Sequence, residues 1–167
     1  MSDTFDLKPI SQAAIPLALE KAERYRLLNE PEQAESICRD VLEVEPTHQA
    51  ALVVLILAIT DQFARSEGGP GAKPAHDYAR QLSDEYQRHY YGGLIREREA
   101  RALLGRGPSK VFAYDGLREA MEWYEMAEPL RPQGNDDAIL RWNACVRTIR
   151  RAHLHPRADE PVEQPLE

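Results

Sequence analysis

Catalysis needs reactive side chains at spacings that let them converge, and this sequence offers few such groups. Glu97 and Glu99 lie two apart, and on a helix that spacing points them to different faces, so they form no carboxylate pair for acid–base work. His153 and His155 are also two apart, with no Cys or acidic partner at ligand spacing, so no metal site is expected. Gly68-Gly-Pro-Gly71 contains proline and lacks the Lys-Ser/Thr that follows in a phosphate-cradling loop. No serine stands in a nucleophile-elbow context, and His76 and His89 are isolated and expected at the surface. Cys38 and Cys145 sit far apart inside apolar helical patterns and read as small buried hydrophobes rather than a disulfide or ligands. The chain therefore reads as a non-enzymatic protein that needs no cofactor.

The charged groups suggest binding instead. Arg98 and Arg101 stand close together, and Arg141, Arg147, Arg150, Arg151, His153, His155 and Arg157 make the C-terminal region locally basic. Cations at a helix C-terminus are favoured by the helix dipole, which accounts for much of that cluster. The net charge of −7 argues against general nucleic-acid binding, which requires a basic surface. The longest apolar run, Ala50 to Ile59, is ten residues, about half of the roughly 20 needed to span a bilayer. The polar start from Met1 to Ile10 has no basic-then-apolar leader pattern, so a reduced cytoplasmic protein without a membrane partner is expected.

The elements that must position these groups are helices. Glu, Arg, Ala and Leu dominate, and apolar residues recur at spacings of three and four in about seven segments. The first, about 12–28, carries Ala14, Ala18, Ala22, Tyr25 and Leu28. Pro31 opens the second, whose stripe is Ala34, Ile37, Cys38, Val41 and Leu42, and Pro46 closes it. Thr47 is the expected cap of a third segment, about 48–64, apolar on every side and so placed between neighbours. Glu67 to Pro74 reads as a loop, and a fourth helix is expected over about 75–89. A turn at Gly92-Gly93 would lead to a fifth ending near Leu104, although one continuous helix over 75–104 is also compatible with the pattern. A sixth starts as early as Ser109 and ends before Pro132, and Asn135 suits the cap of a seventh reaching about 151. The domain boundaries that follow are an N-terminal segment at 1–11, a helical domain at 12–155, and a disordered acidic tail at 156–167.

Ala22, Tyr25, Ala34, Cys38 and Pro46 fall at the small, Tyr, Ala, aromatic and Pro positions of a repeat about 34 residues long, and Ala120, Tyr124, Ala127 and Pro132 fit its second helix in register. Ala100 and Leu103 supply the matching first helix. On these residues the chain resembles the tetratricopeptide-repeat family over about 13–151. It departs from the pattern at Ala18 and Lys21, at Ile56, and in extra residues between Ala100 and Ala120. The resemblance implies an all-α, right-handed helical-repeat array of about three helix pairs plus a C-terminal capping helix.

It further implies a concave groove lined by the first helix of each pair. Leu19, Glu20, Glu23 and Arg26 would stand at one end, and Val53, Val54, Leu57 and Thr60 in the middle. Leu94, Glu97, Arg98 and Arg101 follow, with Asn143 and Arg147 from the last helix. The binding residues expected from this projection are Val53, Val54, Leu57, Arg98, Arg101, Asn143 and Arg147. A peptide or partner domain with an apolar anchor and an acidic end would be complementary. The same residues also allow a plainer arrangement, with the apolar three in the core and the two arginines paired with Glu97, Glu99 or neighbouring helices. Positions that clamp a C-terminal carboxylate in chaperone-binding members hold Leu19, Glu23, Val54, Leu94 and Arg98, so a chaperone-tail adaptor is not expected. The alternative functions are self-association through exposed Trp123, Tyr90 and Tyr91, and an enzyme whose site assembles from distant positions.

Overall fold

The structure is a computed structural model describing residues 4–65 and 71–158. Among these residues there are seven α-helices and no strand: α1 (Ile15–Leu27), α2 (Pro31–Val44), α3 (Gln49–Asp61), α4 (Ala72–Arg80), α5 (Glu85–Leu104), α6 (Ala113–Ala127) and α7 (Asp137–Arg151). Each helix packs on the next, and α1, α3, α5 and α7 also touch in succession, so the odd helices lie side by side. No helix among the described residues is long and apolar enough to cross a membrane.

The core follows from the apolar pattern. In α3, Leu52, Leu55, Ile56 and Ile59 are fully buried, each contributing about 1.5–3 kcal/mol relative to exposure. They pack with Ala22, Ala34, Cys38, Ala79, Leu82 and Ile95. A second cluster joins Ala100, Leu117, Ala120, Tyr124, Ala127, Ala138 and Cys145 under α5, α6 and α7. The small residues allow the helices to approach closely, and both cysteines are buried and free.

Several local expectations are corrected. Gly92 and Gly93 make no turn: they lie inside α5, and the break comes earlier, between Arg80 and Glu85. The reason is packing. A Cβ at Gly92 would stand 2.8 Å from the Trp123 ring, and one at Gly93 would stand 2.7 Å from the Tyr124 ring. The pair lets α6 lay two aromatic rings against the α5 backbone, which outweighs the poor helix propensity of glycine. His48 rather than Thr47 caps α3, its Nδ1 accepting from the Ala51 N–H at 3.2 Å. Asn135 stands one residue before the α7 cap position, yet its Oδ1 still accepts from the Asp137 N–H at 3.0 Å. Helix α4 starts at Ala72, inside the expected loop, and Gly107–Phe112 forms a 3-10 helix before α6.

His76 and His89 are half-buried rather than surface residues. Trp123, Tyr90 and Tyr91 are also half-buried. Tyr90 stacks on Tyr86, meets Tyr91 edge-on and Tyr124 at a tilt, with ring centroids 5.8, 5.1 and 5.9 Å away. Part of the expected tail is tied down, since Arg157 donates to Asp115 at 2.8 Å and lies over the Phe112 ring. The acidic residues from Asp159 onward lie outside the described residues.

Candidate functional site: an arginine seam across the odd helices

Asp61 ends the otherwise apolar α3, where its carboxylate can leave the core. It accepts from Arg26 Nε of α1 at 2.8 Å and from Arg98 Nη1 of α5 at 2.7 Å. Arg98 Nη1 also donates to Thr60 Oγ1 at 2.7 Å and to the Leu57 carbonyl at 3.3 Å. One carboxylate thus joins three helices. Burial lowers the Arg98 pKa; Asp61 opposes this, while Arg26 and Arg141 add to it. An arginine so placed still carries its charge at neutral pH.

One helical position away, Glu97 is completely buried. It accepts from the Tyr124 hydroxyl at 2.6 Å, from Arg101 Nε at 2.8 Å and from Arg141 Nε at 3.0 Å, with a second, shorter contact from Arg141 Nη2. Arg101 Nη1 continues to Thr148 Oγ1 at 2.8 Å, fastening α5 to α7. Burial and then the Glu97 charge push the Tyr124 hydroxyl far above the usual phenol range, so it stays a donor. Burial works against the charge on Arg141, and the bonds to Glu97 more than reverse it. Buried charges require partners of this kind.

The seam therefore sets Arg26, Arg98, Arg101 and Arg141 against Asp61 and Glu97, four positive groups facing two negative ones. The surplus of positive charge stands on a chain whose net charge is −7. Each arginine keeps between a fifth and about a third of its side chain in contact with solvent, with relative exposures of 22%, 26%, 30% and 34% in chain order. The guanidiniums are thus held in place by the fold and still face outward. Arg98 Nε and Nη2 and Arg101 Nη2 make no hydrogen bond among the described residues.

The expected binding residues divide. Arg98 and Arg101 are brought together on the seam, each holding a carboxylate as in the plainer arrangement. Arg147 is exposed beside Thr148 with no ion pair among the described residues, and Asn143 is half-buried on the same helix. Val54 is 4% exposed and belongs to the core; Val53 is half-buried against it, and Leu57 is half-buried. The middle of the face therefore presents less apolar surface than expected. Glu20 and Glu23 are exposed near one end, Glu20 pairing with Arg24.

Asp61, Thr148 and the Tyr124 hydroxyl were not identified from the sequence as members of the site. A signal existed for Asp61: it lies 35 residues after Arg26 and 37 before Arg98, close to the repeat length. Charges of alternating sign at that interval meet on neighbouring odd helices. Comparison with protein-family models, with curated proteins and with solved structures finds no match to this chain.

Proposed function

We propose that this chain is a protein-interaction module of tetratricopeptide-like architecture, which holds an acidic segment of a partner protein along the face formed by α1, α3, α5 and α7. The observation that supports it is the seam itself: four arginines from α1, α5 and α7, fixed by two carboxylates and left with unfilled donors. Preorganised guanidiniums lose little freedom on binding and recognise carboxylates through paired hydrogen bonds. The half-buried Leu57 and Val53 offer a shallow apolar contact beside them. Affinity at such a polar face is modest, on the order of micromolar, and falls with salt. Self-association through Trp123, Tyr90 and Tyr91 has less support, because all three rings are engaged within the fold.

The test is selection from a displayed random-peptide library with the full chain, followed by calorimetric titration of the selected peptide. Acidic sequences should emerge. Arg101→Gln, which leaves Glu97 still paired with Arg141 and Tyr124, should weaken them about tenfold with the fold retained, while Arg80→Glu on α4 should not. Selected peptides that are neutral or basic, or that bind Arg101→Gln unchanged, would exclude this function for the seam.

A further inference from the structure

Helix α5 has a second occupied face. Glu97, Arg98 and Arg101 point toward the seam, whereas Arg88, Gly92, Arg96 and Glu99 lie about half a turn away. Over that other face α4 and α6 diverge, leaving a cleft of about 760 Å³ walled by all three helices. Small-molecule sites typically fall in the range of roughly 300–1,000 Å³.

The walls differ in character. Trp123 of α6 lies against Gly92, and His89, one turn earlier on α5, stands 6.0 Å from it between ring centroids with the planes inclined by 45°. Ala72 and Ala79 keep the α4 side open. The two acidic groups of the lining, Glu99 and Glu119, are both engaged by Arg96. The remaining cations are less balanced. Lys73 and Arg80 share the single carboxylate of Asp77, at 2.8 and 2.7 Å. Arg88 donates to the carbonyls of Leu82 and Ser83 and has no carboxylate partner among the described residues. His89 Nδ1 is buried without a hydrogen bond, which is rare for a polar atom in a folded chain.

We propose that this cleft binds a small molecule joining a flat ring to an anionic group, the ring lying against Trp123 and the anion held by Arg80 and Arg88. Aromatic stacking supplies contact area, and guanidinium pairing orients the anion. The site stands apart from the protein-binding seam and does not depend on it.

The test uses the full chain labelled with nitrogen-15 and a panel of aromatic carboxylates (benzoate, 2-naphthoate and indole-2-carboxylate) beside their neutral amides and inorganic phosphate. The indole N–H resonance of Trp123 is the reporter, and that of Trp142, on α7, is the internal control. At least one carboxylate should move the Trp123 signal saturably at millimolar concentration or below and leave Trp142 unmoved. Its amide should bind about tenfold more weakly, and phosphate alone should leave the indole signal in place. Arg80→Gln should weaken the carboxylate several-fold at unchanged melting temperature, and Arg88→Gln should weaken it several-fold with some loss of melting temperature. Arg80 is the safer variant, because Arg88 also fastens the turn before α5. Equal binding of acid and amide, equal effects of phosphate and carboxylate, no response from Trp123, or full affinity in Arg80→Gln would each overturn the proposal.

Discussion

Replacing Glu97 by Gln tests whether the buried carboxylate organises the seam. The substitution keeps the shape of the side chain and removes its charge. Glu97 receives hydrogen bonds from Tyr124, Arg101 and Arg141. Bonds to a charged group contribute about 1.5–3 kcal/mol each. The full sum is not expected, because the two arginines keep 30% and 34% of their side chains exposed and water can take over part of their solvation. The amide also retains one acceptor, while its NH₂ faces donors it cannot satisfy. The expected loss is about 2–4 kcal/mol, a fall in melting temperature of about 5–15 °C for a chain of this size. Urea unfolding followed by circular dichroism reads it, with the denaturant slope unchanged. Tyr124→Phe alone should cost about 1 kcal/mol and distinctly less in the Glu97→Gln background, since the two groups are coupled. A loss below about 0.5 kcal/mol for Glu97→Gln would refute the organising role of the carboxylate.

Gly93→Ala places a methyl group 2.7 Å from the Tyr124 ring and should destabilise by about 1–3 kcal/mol despite the better helix propensity of alanine. Gly105→Ala, with nothing within 4 Å of the new Cβ, should stay within about 0.5 kcal/mol, and thermal melts compare the two directly. Burial pushes both the Cys38 and the Cys145 thiol up to about 12, so at pH 8 the folded chain presents almost no thiolate. A chromogenic disulfide reagent should therefore label both thiols slowly in buffer and rapidly in urea; equal rates would contradict the packing. Burial lowers the His76 pKa from the ordinary value of 6.5, so the fold favours the neutral ring. The unfolded chain then binds the proton more readily, and stability is lost as pH falls below 6.5 until the folded ring also protonates. His76→Asn should flatten the curve of stability against pH in that window, and an unchanged slope would remove His76 from the acid response.

Helix number and most of the core were legible because the three-and-four spacing of Ala22, Cys38, Tyr124 and Cys145 reports one buried face per helix. The Gly92-Gly93 pair misled because local propensity marks glycine as a breaker, whereas its use here is to admit rings from α6, a contact between distant parts of the chain. Arg98 and Arg101 were recognisable as binding candidates, and the spacing of four between Glu97 and Arg101 allowed their pairing, but Asp61 and Thr148 come from other helices. The buried state of Glu97 in particular has no local mark, since acids rarely lie in the interior. Whether Val54 lay on the open face or in the core was undecided for a related reason. A helix apolar all round gives no sequence sign of which side its neighbours leave open.

The function assigned to the seam is tested most directly by following the arginine Nε–H resonances while an acidic peptide from the library is titrated into the nitrogen-15-labelled chain. Saturable shifts at Arg98, Arg101 and Arg141, with the Arg80 and Arg88 signals unmoved and the effect weakened by salt, are expected if the odd helices form the binding face. Binding that leaves the seam arginines unshifted and perturbs another surface would contradict it.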